Sequence, residues 1–278
     1  MSALDMVQSA TCRMPAMGLG TYGLRGIEGA SVIESALDEG YRLIDTAVSY
    51  ENEGAVGAAV RAADEPREDI FVTSKLPGRH HAKDQVGTCI EESLMRMGLD
   101  HLDLYLIHWP LPNQDRYVEA WQGLIDARDK GLVTHIGVSN FNADHIERLW
   151  KETSVLPEVN QIEIHPYFPQ HEIVEFHRER DIITQAWSPL GRGSGLLIEP
   201  ALLEIAIKYQ ITPAQVVLRW LVERGIVPLP KSASVERLAE NLDVLDFELD
   251  EEDTVAIAAL EQNGGRLWGG DPLTHEEM

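Results

Sequence analysis

Short apolar segments alternate along almost the whole chain with longer amphipathic segments, and this alternation limits the choice of fold most strongly. Strands are expected near residues 17–21, 43–45, 71–75, 103–108, 135–138, 158–163, 182–186 and 226–229. Strands that alternate with helices are typical of a parallel sheet. Eight strands close such a sheet into a barrel, and 278 residues is a normal length for one. We predict an α/β protein with a single (β/α)8 TIM barrel domain over residues 1–278.

The amphipathic segments between the strands are the predicted helices, near residues 30–39, 51–63, 83–97, 117–130, 143–152, 171–180, 198–209 and 234–242. Extra helices are expected near the C-terminus. One runs from Pro213 to Val222 with Thr212 as its cap, because Thr before Pro is a strong helix start. Another opens at Asp250, and residues 6–15 are predicted to form an N-terminal hairpin.

Polar side chains stand where several of the predicted strands end. Asp45, Lys75, His108 and Ser139 follow four apolar runs, and Tyr50 lies in the loop after Asp45. Chemistry collects at the C-terminal ends of parallel strands, and side chains alternate along a strand, so these groups can share the mouth of a barrel. A strand-terminating aspartate and a surface tyrosine are the plainer interpretation of Asp45 and Tyr50 taken alone.

A glycine pattern near the N-terminus suggests a different fold. Residues 18–23, GLGTYG, match the G-x-G-x-x-G pattern of a dinucleotide-binding Rossmann unit. That pattern must follow a full strand and open directly into a helix. Here Pro15 lies just ahead, and residues 24–29 intervene before the first helical pattern. The sequence therefore favours a first barrel strand with Tyr22 at its mouth.

The charge of the chain excludes some kinds of partner. The formal net charge is −23, whereas nucleic acids and anionic membranes select a basic face. No run of eighteen apolar residues and no basic segment followed by an apolar one is present, so we expect a cytoplasmic protein. Cys12 and Cys89 show no CxxC spacing, and the histidines lack the i, i+4 pairing of a metal site. We predict reduced thiols and no metal.

Seven segments together resemble the aldo-keto reductase family over nearly the whole chain. In the family's order they are GYRLIDTAVSYENE (40–53), VTSKL (72–76), DLYLIHWP (103–110), IGVSNF (136–141), NQIEIHPY (160–167), WSPLGRG (187–193) and PKSASVERLAEN (230–241). The resemblance makes Asp45, Tyr50, Lys75 and His108 the expected catalytic tetrad. It implies NADPH-dependent reduction of aldehydes, ketones or dicarbonyls to alcohols by a monomeric enzyme.

The resemblance also assigns a role to each member of the tetrad. Tyr50 is the expected general acid, and Lys75 lowers its pKa with a nearby positive charge. Asp45 holds Lys75 in place and keeps it charged. His108 bonds the carbonyl oxygen of the substrate. A buried structural ion pair and a core histidine are the plainer alternatives for these residues.

The cofactor residues are likewise implied by the family. Ser139, Asn140 and Gln161 are expected to bond the nicotinamide carboxamide, Trp187 to stack on its ring, and Lys231, Ser232 and Arg237 to bind the adenosine 2′-phosphate. The full expected cofactor set is Gly20, Thr21, Tyr22, Asp45, Ser139, Asn140, Gln161, Trp187, Ser188, Pro189, Leu190, Gly191, Lys231, Ser232, Ala233, Arg237, Glu240 and Asn241. An ordinary capped helix with basic residues is the alternative for 231–237.

The substrate side is expected to use Tyr22, Tyr50, His108, Trp109 and Trp268, with the tail 263–278 as a lid. Details such as His108-Trp109-Pro110 resemble the bacterial 2,5-diketo-D-gluconate reductase group. Lys75 is followed by Leu76-Pro77-Gly78 rather than by an aromatic after the leucine, and this departure argues against a sugar acid as the physiological substrate.

Two other functions remain as alternatives. One is a cofactor-binding sensing module that resembles a potassium-channel β subunit and has little turnover. The other is a hydrolytic barrel, which needs paired carboxylates or metal ligands at its strand ends. The intact tetrad favours an enzyme over the first, and the sequence shows neither feature of the second.

Overall fold

The protein was analysed as a computed structural model, which describes residues 6–267 and 269–277. Its strands are β1 (Met6–Gln8), β2 (Arg13–Pro15), β3 (Leu19–Gly20), β4 (Leu43–Asp45), β5 (Phe71–Leu76), β6 (Leu102–Ile107), β7 (Val133–Ser139), β8 (Val159–Glu163), β9 (Ile183–Trp187) and β10 (Val227–Pro228). Its helices are α1 (Gly26–Glu39), α2 (Glu53–Ala62), α3 (Lys83–Met97), α4 (Tyr117–Asp129), α5 (Ala143–Thr153), α6 (His171–Glu179), α7 (Pro200–Tyr209), α8 (Pro213–Glu223), α9 (Val235–Leu242) and α10 (Glu251–Ala258).

The strands β3 to β10 form one sheet in which each strand pairs in parallel with its neighbour in sequence. Backbone hydrogen bonds join the two ends of this sheet. Gly18 N–H donates to Pro228 O at 3.1 Å, and Gly20 N–H donates to Pro230 O at 3.0 Å. The sheet is therefore closed into the predicted (β/α)8 barrel, and the C-terminal ends of all eight strands meet at one mouth.

The N-terminal hairpin is present, with Val7 opposite Met14 in an antiparallel pair. Its turn lacks glycine and asparagine, and Ser9 takes their place. The Ser9 backbone N–H donates to Cys12 O at 2.8 Å, and the Cys12 N–H donates to Ser9 Oγ at 3.1 Å. A hydroxyl side chain thus closes a turn that glycine usually makes.

The glycines at 18 and 20 belong to the barrel and not to a Rossmann unit. A Cβ on Gly20 would lie 2.9 Å from the Leu229 carbonyl oxygen, and one on Gly18 would lie 2.2 Å from Leu43 Cδ2. The first barrel strand can pack this closely against Leu43 and Leu229 because both positions lack a side chain. The apparent nucleotide-binding pattern is therefore explained by barrel closure.

The start of the first helix was predicted wrongly, since α1 begins at Gly26 and not near Ala30. Glycines in 24–29 suggested a loop, because glycine weakens a helix. In the structure a Cβ on Gly29 would lie 2.3 Å from the Leu24 carbonyl carbon. Close packing of the preceding loop against the helix requires glycine there, and this contact overrides the local propensity.

The two extra helices near the C-terminus begin at the predicted caps. The Thr212 hydroxyl accepts from Gln215 N–H at 3.3 Å at the start of α8, and the Asp250 carboxylate accepts from Asp253 N–H at 3.0 Å at the start of α10. A cap of this kind stabilises a helix by about 1 kcal/mol. Within the described ranges, no helix is both long and apolar enough to cross a bilayer.

Candidate active site

A cavity of about 670 Å³ opens at the C-terminal ends of the barrel strands. Its walls bring together most of the predicted cofactor and substrate residues, together with several that the sequence did not single out. The lining residues are Gly20, Thr21, Tyr22, Gly23, Asp45, Tyr50, His108, Trp109, Ser139, Asn140, Gln161, Trp187, Ser188, Pro189, Leu190, Arg192, Leu229, Pro230 and Lys231.

Lys75 is the centre of a buried polar cluster beneath this cavity. Its side chain is 0% exposed, and Nζ lies 2.6 Å from Asp45 Oδ2, 2.9 Å from Thr46 O and 3.5 Å from Tyr50 OH. Asp45 ends β4 and Lys75 lies on the adjacent strand β5, so strand pairing alone sets their separation. A buried ammonium needs such partners, because an unpaired one would be strongly destabilising.

The second carboxylate oxygen of Asp45 is held from the opposite side of the barrel. Gln161 Nε2 donates to Asp45 Oδ1 at 2.8 Å and to Gln185 Oε1 at 2.9 Å. Both amide hydrogens of Gln161 are therefore used. Of the side-chain amide of Gln161, the oxygen Oε1 remains for the nicotinamide contact predicted from the sequence. Gln161 also orients Asp45, a role that the sequence did not indicate.

The pKa values of the cluster differ in part from the expectation. Burial raises the pKa of Tyr50 above its ordinary value, and the charge of Lys75 offsets this only in part. Burial alone would lower the pKa of Lys75, but Asp45 and Tyr50 raise it above its ordinary value. Lys75 is thus charged and Tyr50 is protonated at neutral pH. Lys75 does lower the pKa of Tyr50, as expected, but burial raises it by more.

His108 lies just beyond β6 on the same side of the mouth. Its ring and that of Tyr50 meet edge to face with centroids 5.8 Å apart, and the rings of Tyr22 and Tyr50 also meet edge to face at 5.1 Å. Asn140 Nδ2 donates to the His108 carbonyl oxygen at 3.0 Å. These contacts place two polar groups, a phenol and an imidazole, where one carbonyl oxygen can reach both.

The C-terminal tail brings an unexpected carboxylate to His108. Glu277 Oε1 lies 2.8 Å from His108 Nδ1, although the direction of the ring N–H does not give an aligned hydrogen bond. Trp268, which was predicted to line the substrate pocket, lies outside the described residues. No sequence signal marked Glu277, because nothing in a Glu-Glu-Met terminus specifies what it contacts.

The residues predicted to hold nicotinamide form a connected network at one wall. Trp187 Nε1 donates to Asn140 Oδ1 at 2.8 Å, Asn140 Nδ2 donates to Ser139 Oγ at 3.0 Å, and Ser139 Oγ donates to Gln161 O at 2.8 Å. Asn140 and Ser188 adopt left-handed backbone angles, with φ of 62° and 50°. The network fixes the Trp187 ring at the edge of the cavity.

The predicted phosphate-binding segment lies around the start of α9. Lys231 lines the cavity and is exposed, as is Arg237, whereas Ser232 is buried and its hydroxyl donates to Ser234 O at 3.1 Å. Ser234 caps α9 by accepting from Arg237 N–H at 3.4 Å. The structure thus places two cations beside a helix N-terminus, where an anion is favoured.

Some of the predicted cofactor residues do not line the cavity. They are Gly191, Ser232, Ala233, Arg237, Glu240 and Asn241. Asn241 is 4% exposed, and its side chain lies beside Tyr41, whose hydroxyl donates to Leu238 O at 3.2 Å. It packs α9 against the barrel, while Glu240 is exposed on the surface of that helix.

One group of described residues at the opposite end of the barrel offers metal-ligating atoms. Cys12, His135 and Glu158 each present one such atom within 4.8 Å of the others. His135 Nδ1 lies 2.8 Å from Glu158 Oε2, and burial, with help from Glu158, raises the pKa of Cys12 to about 12. The thiol is therefore protonated, and the absence of a metal stays a prediction.

Comparison with known proteins places the chain in a family. Residues 16–262 match the model of the Aldo/keto reductase family. The chain is 54% identical over 261 residues to a 2,5-diketo-D-gluconic acid reductase B from Corynebacterium sp., with 94% of each chain covered. It is 43% identical over 260 residues to the methylglyoxal reductase DkgA of Escherichia coli, with 93% of each covered.

Solved structures agree with this comparison. A mutant of Gox0644 crystallised with NADPH is 41% identical, with a TM-score of 0.94 over 99% of this chain and 100% of the other. A Bombyx mori aldo-keto reductase in complex with NADP is 36% identical, with a TM-score of 0.87 over 94% of each chain. The family model covers most of the barrel, and the two relatives are 54% and 43% identical to this chain over more than nine tenths of its length. The chain therefore belongs to the aldo/keto reductase family.

Proposed function

We propose that this protein reduces aldehydes, ketones or dicarbonyls to alcohols by hydride transfer from NADPH, with Tyr50 as the general acid. The family is one of NADPH-dependent oxidoreductases, so the class of reaction follows from membership. The observation that supports the finer assignment is the position of Lys75. A fully buried ammonium, paired with Asp45, lies 3.5 Å from the Tyr50 phenol, which contacts His108 and lines the cavity.

The proton leaves from the Tyr50 hydroxyl. Hydride addition to a carbonyl carbon places negative charge on the oxygen, which must receive a proton as it forms. Tyr50 is protonated at neutral pH, since its pKa is raised by burial. The phenolate left after transfer lies beside the charge of Lys75, whose Nζ is 5.0 Å from the ring centre. Lys75 thus stabilises the phenolate that forms as the proton is transferred, and this lowers the energy of the transition state.

His108 and the nearby tyrosines position the substrate. The imidazole meets Tyr50 edge to face at 5.8 Å, so a carbonyl oxygen between them can accept hydrogen bonds from both. Asn140 donates a hydrogen bond to the His108 backbone oxygen, and the ring of Tyr22 packs edge to face against Tyr50. With these contacts the acid is oriented before any substrate arrives, which lowers the entropic part of the barrier.

NADPH fits the wall formed by Trp187 and the α9 segment. The Trp187 indole is held by Asn140 and presents a ring face on which nicotinamide can stack, and Gln161 keeps a carbonyl oxygen for the carboxamide. Lys231 and Arg237 are two exposed cations near the α9 N-terminus, a setting suited to the adenosine 2′-phosphate. Bound there, NADPH supplies the hydride. The marked excess of acidic residues in this chain makes such a basic cluster distinctive.

The names of the relatives suggest two kinds of substrate. The Corynebacterium relative is named for a keto-sugar acid and the Escherichia coli relative for methylglyoxal, a small uncharged dicarbonyl. Both carry a carbonyl group that hydride transfer can reduce, so a small uncharged dicarbonyl and a keto-sugar acid are the two candidate classes of substrate. A sensing module is less well supported, because a buried Lys75–Asp45 pair beneath a phenol has an evident use in proton transfer and none in cofactor binding alone.

The test is the loss of NADPH absorbance with a panel of methylglyoxal, diketones, keto-sugars and aromatic aldehydes. Turnover with one or more of them, and a marked preference for NADPH over NADH, is expected. A purified protein that binds NADPH and oxidises it with none of these compounds would overturn the proposal. Tyr50→Phe, described below, separates chemistry at Tyr50 from turnover by any contaminating reductase.

A further inference from the structure

The last described residues of the chain are fixed across the mouth of the barrel. The ring of His275 packs at a tilt of 43° against Trp109 with centroids 4.1 Å apart, and a Cβ on Gly270 would lie 2.7 Å from Trp109 Cη2. The carboxylate of Glu276 accepts from Asn113 N–H at 2.8 Å. Aromatic packing, close backbone contact and a hydrogen bond therefore hold this segment, residues 269–277, at the entrance to the site.

The same segment delivers the Glu277 side chain into the site itself. Its backbone passes so close to Gly78 that a Cβ there would lie 2.4 Å from the Glu277 carbonyl oxygen. Its carboxylate is 16% exposed and lies 2.8 Å from His108 Nδ1. Burial alone would raise the pKa of Glu277, but His108 and Ser49 hold it below the ordinary value, so the carboxylate is charged at neutral pH.

Glu277 adds a carboxylate next to the reacting position. Among the described residues, Lys75 is already matched by Asp45 at 2.6 Å, and Glu277 faces the ring of His108 at 2.8 Å. Its field also acts on Tyr50, whose pKa it raises. Arg192 also lines the cavity, and its guanidinium lies 5.0 Å from the centre of the Tyr22 ring. The position between Tyr50 and His108 is thus next to a fixed anion.

We propose that Glu277 restricts the active site to uncharged carbonyl substrates. The proposal rests on the proposed reduction reaction, since it concerns which carbonyl compounds reach Tyr50. A substrate whose carboxylate lies within a few atoms of its carbonyl carbon must bring a second negative charge next to Glu277. An uncharged aldehyde or dicarbonyl meets no such repulsion. Methylglyoxal and similar neutral dicarbonyls are therefore the favoured class, and keto-sugar acids are the disfavoured one.

The discrimination is expected to be at least about tenfold. Two like charges a few ångströms apart in a protein of effective dielectric constant about 20 repel by more than the energy of a tenfold change. Salt screens a partly buried pair only weakly, so the effect should persist at physiological ionic strength. This size is easily measured as a ratio of two kcat/KM values.

The test uses two substrates of similar shape that differ in charge, para-formylbenzoate and its methyl ester, and compares wild type with a variant so that their different intrinsic reactivities cancel. For the wild-type enzyme with NADPH, kcat/KM for the ester should exceed that for the acid by about tenfold or more. Glu277→Gln keeps the shape of the side chain and removes its charge. It should lower the ester-to-acid ratio of kcat/KM by about tenfold, because a change that affects both substrates equally cancels in this ratio.

Glu276→Gln is the matched control, because it removes the same charge one residue earlier and keeps an oxygen to accept from Asn113. It should leave the ester-to-acid ratio unchanged. A wild-type enzyme that uses the acid as well as the ester overturns the proposal while the reduction reaction stands. If Glu277→Gln raised kcat/KM by a similar factor for both substrates, the proposal would also be overturned, since the tail would then block the site without selecting between charged and uncharged substrates. A wild type that binds NADPH but reduces neither substrate overturns both this proposal and the proposed function.

Discussion

Two parts of the proposed site are built in different ways. The strand-built wall, proposed for proton transfer, stands on adjacent strands, and its central groups Asp45 and Lys75 are 3% and 0% exposed. The loop-built wall, proposed for phosphate binding, stands on a loop and the start of a short helix. Both of its cations are exposed, and Lys231 lines the cavity whereas Arg237 lies outside it. Paired strands hold the first set in contact without any ligand. The second set has no comparable support.

This difference matches what each wall must do. A general acid has to be in place before the transition state forms, because any movement needed then adds to the barrier. A phosphate site can gain its order from the ligand, since charge-assisted hydrogen bonds form as the anion arrives. The comparison implies that substitutions on the strand-built wall affect turnover and stability, and that those on the loop-built wall affect binding.

The largest expected effect is that of Tyr50→Phe. It removes the proton donor and keeps the ring that packs between Tyr22 and His108. Turnover should fall by about 10²–10⁴-fold, the usual contribution of general acid catalysis. NADPH affinity, measured by quenching of tryptophan fluorescence, should stay within about twofold of wild type, because the acid does not support cofactor binding.

Tyr22→Phe is the matched control for that substitution. It removes the hydroxyl of a second tyrosine at the same mouth of the barrel, whose ring centre lies 5.1 Å from that of Tyr50. Its turnover should remain within several-fold of wild type. If Tyr50→Phe retained turnover within a few-fold of wild type, or if both variants lost it equally, Tyr50 would not be the acid.

Lys75→Met should show that the strand-built wall also carries stability. Removing the ammonium leaves Asp45 buried with only Gln161 as a hydrogen-bonding partner, and a buried pair broken in this way costs about 3–5 kcal/mol. Calorimetry should show a clearly lower Tm. Lys83→Met, which breaks an exposed pair with Asp126, should change stability by less than about 1 kcal/mol.

The same Lys75→Met variant gives a directional test by pH. A general acid works only while protonated, so turnover is lost as the pH rises through its pKa. Lys75 lowers the pKa of Tyr50, so its removal should move that loss to higher pH in whatever activity remains. A shift to lower pH would show that another group is titrating.

On the loop-built wall, removing both cations in Lys231→Ala/Arg237→Ala should weaken NADPH binding without lowering Tm. The loss should be about 1.5–3 kcal/mol for each cation before coupling, and NADH binding should hardly change. Lys130→Ala/Arg178→Ala removes the same charge from exposed sites on or next to other helices and should have little effect on either cofactor. Equal weakening of NADPH and NADH by the first variant would assign the cluster another role.

The smallest effect is expected from shortening the tail. Residues up to Leu267 are attached to the barrel, because Leu267 N–H donates to Glu163 Oε1 at 2.8 Å and Gln262 N–H donates to Tyr167 O at 3.0 Å. A chain that stops after Leu267 should therefore fold. KM for an uncharged substrate should rise by a few-fold, with NADPH affinity within about twofold, since the tail is proposed to contact substrate and not cofactor. An unchanged KM and substrate ranking would show that the tail has no such role.

The same difference between walls explains how much could be read from the sequence. Strand ends are set by local patterns, and parallel pairing brings them to one edge, so Asp45, Lys75 and His108 could be placed before any coordinates. Asn140 and Trp187 were found through motifs, and their mutual hydrogen bond was not foreseen. Contacts along strands are encoded locally, whereas contacts between side chains of distant loops are not.

Three features escaped prediction because they depend on packing between distant segments. Glu277 reaches His108 only through the path of the tail over Gly78. The α1 helix starts at Gly26 because Leu24 packs closely on Gly29. The net rise in the pKa of Tyr50 comes from the depth of its site, which the presence of a nearby lysine does not reveal. Each of these features depends on distances between segments that are far apart in the sequence, and only the structure gives those distances.

The hydrogen bonds between Gly18 or Gly20 and the backbone at Pro228 and Pro230 also bear on how the chain folds. They join the first barrel strand to the last, so the barrel cannot close until more than four fifths of the chain is available, and long-range contacts of this kind slow folding. The proposed cofactor wall contains Gly20 from one end and Lys231 from the other. A ligand that spans both binds only the closed form, and NADPH should therefore slow the opening of the barrel and protect its two end strands from hydrogen exchange.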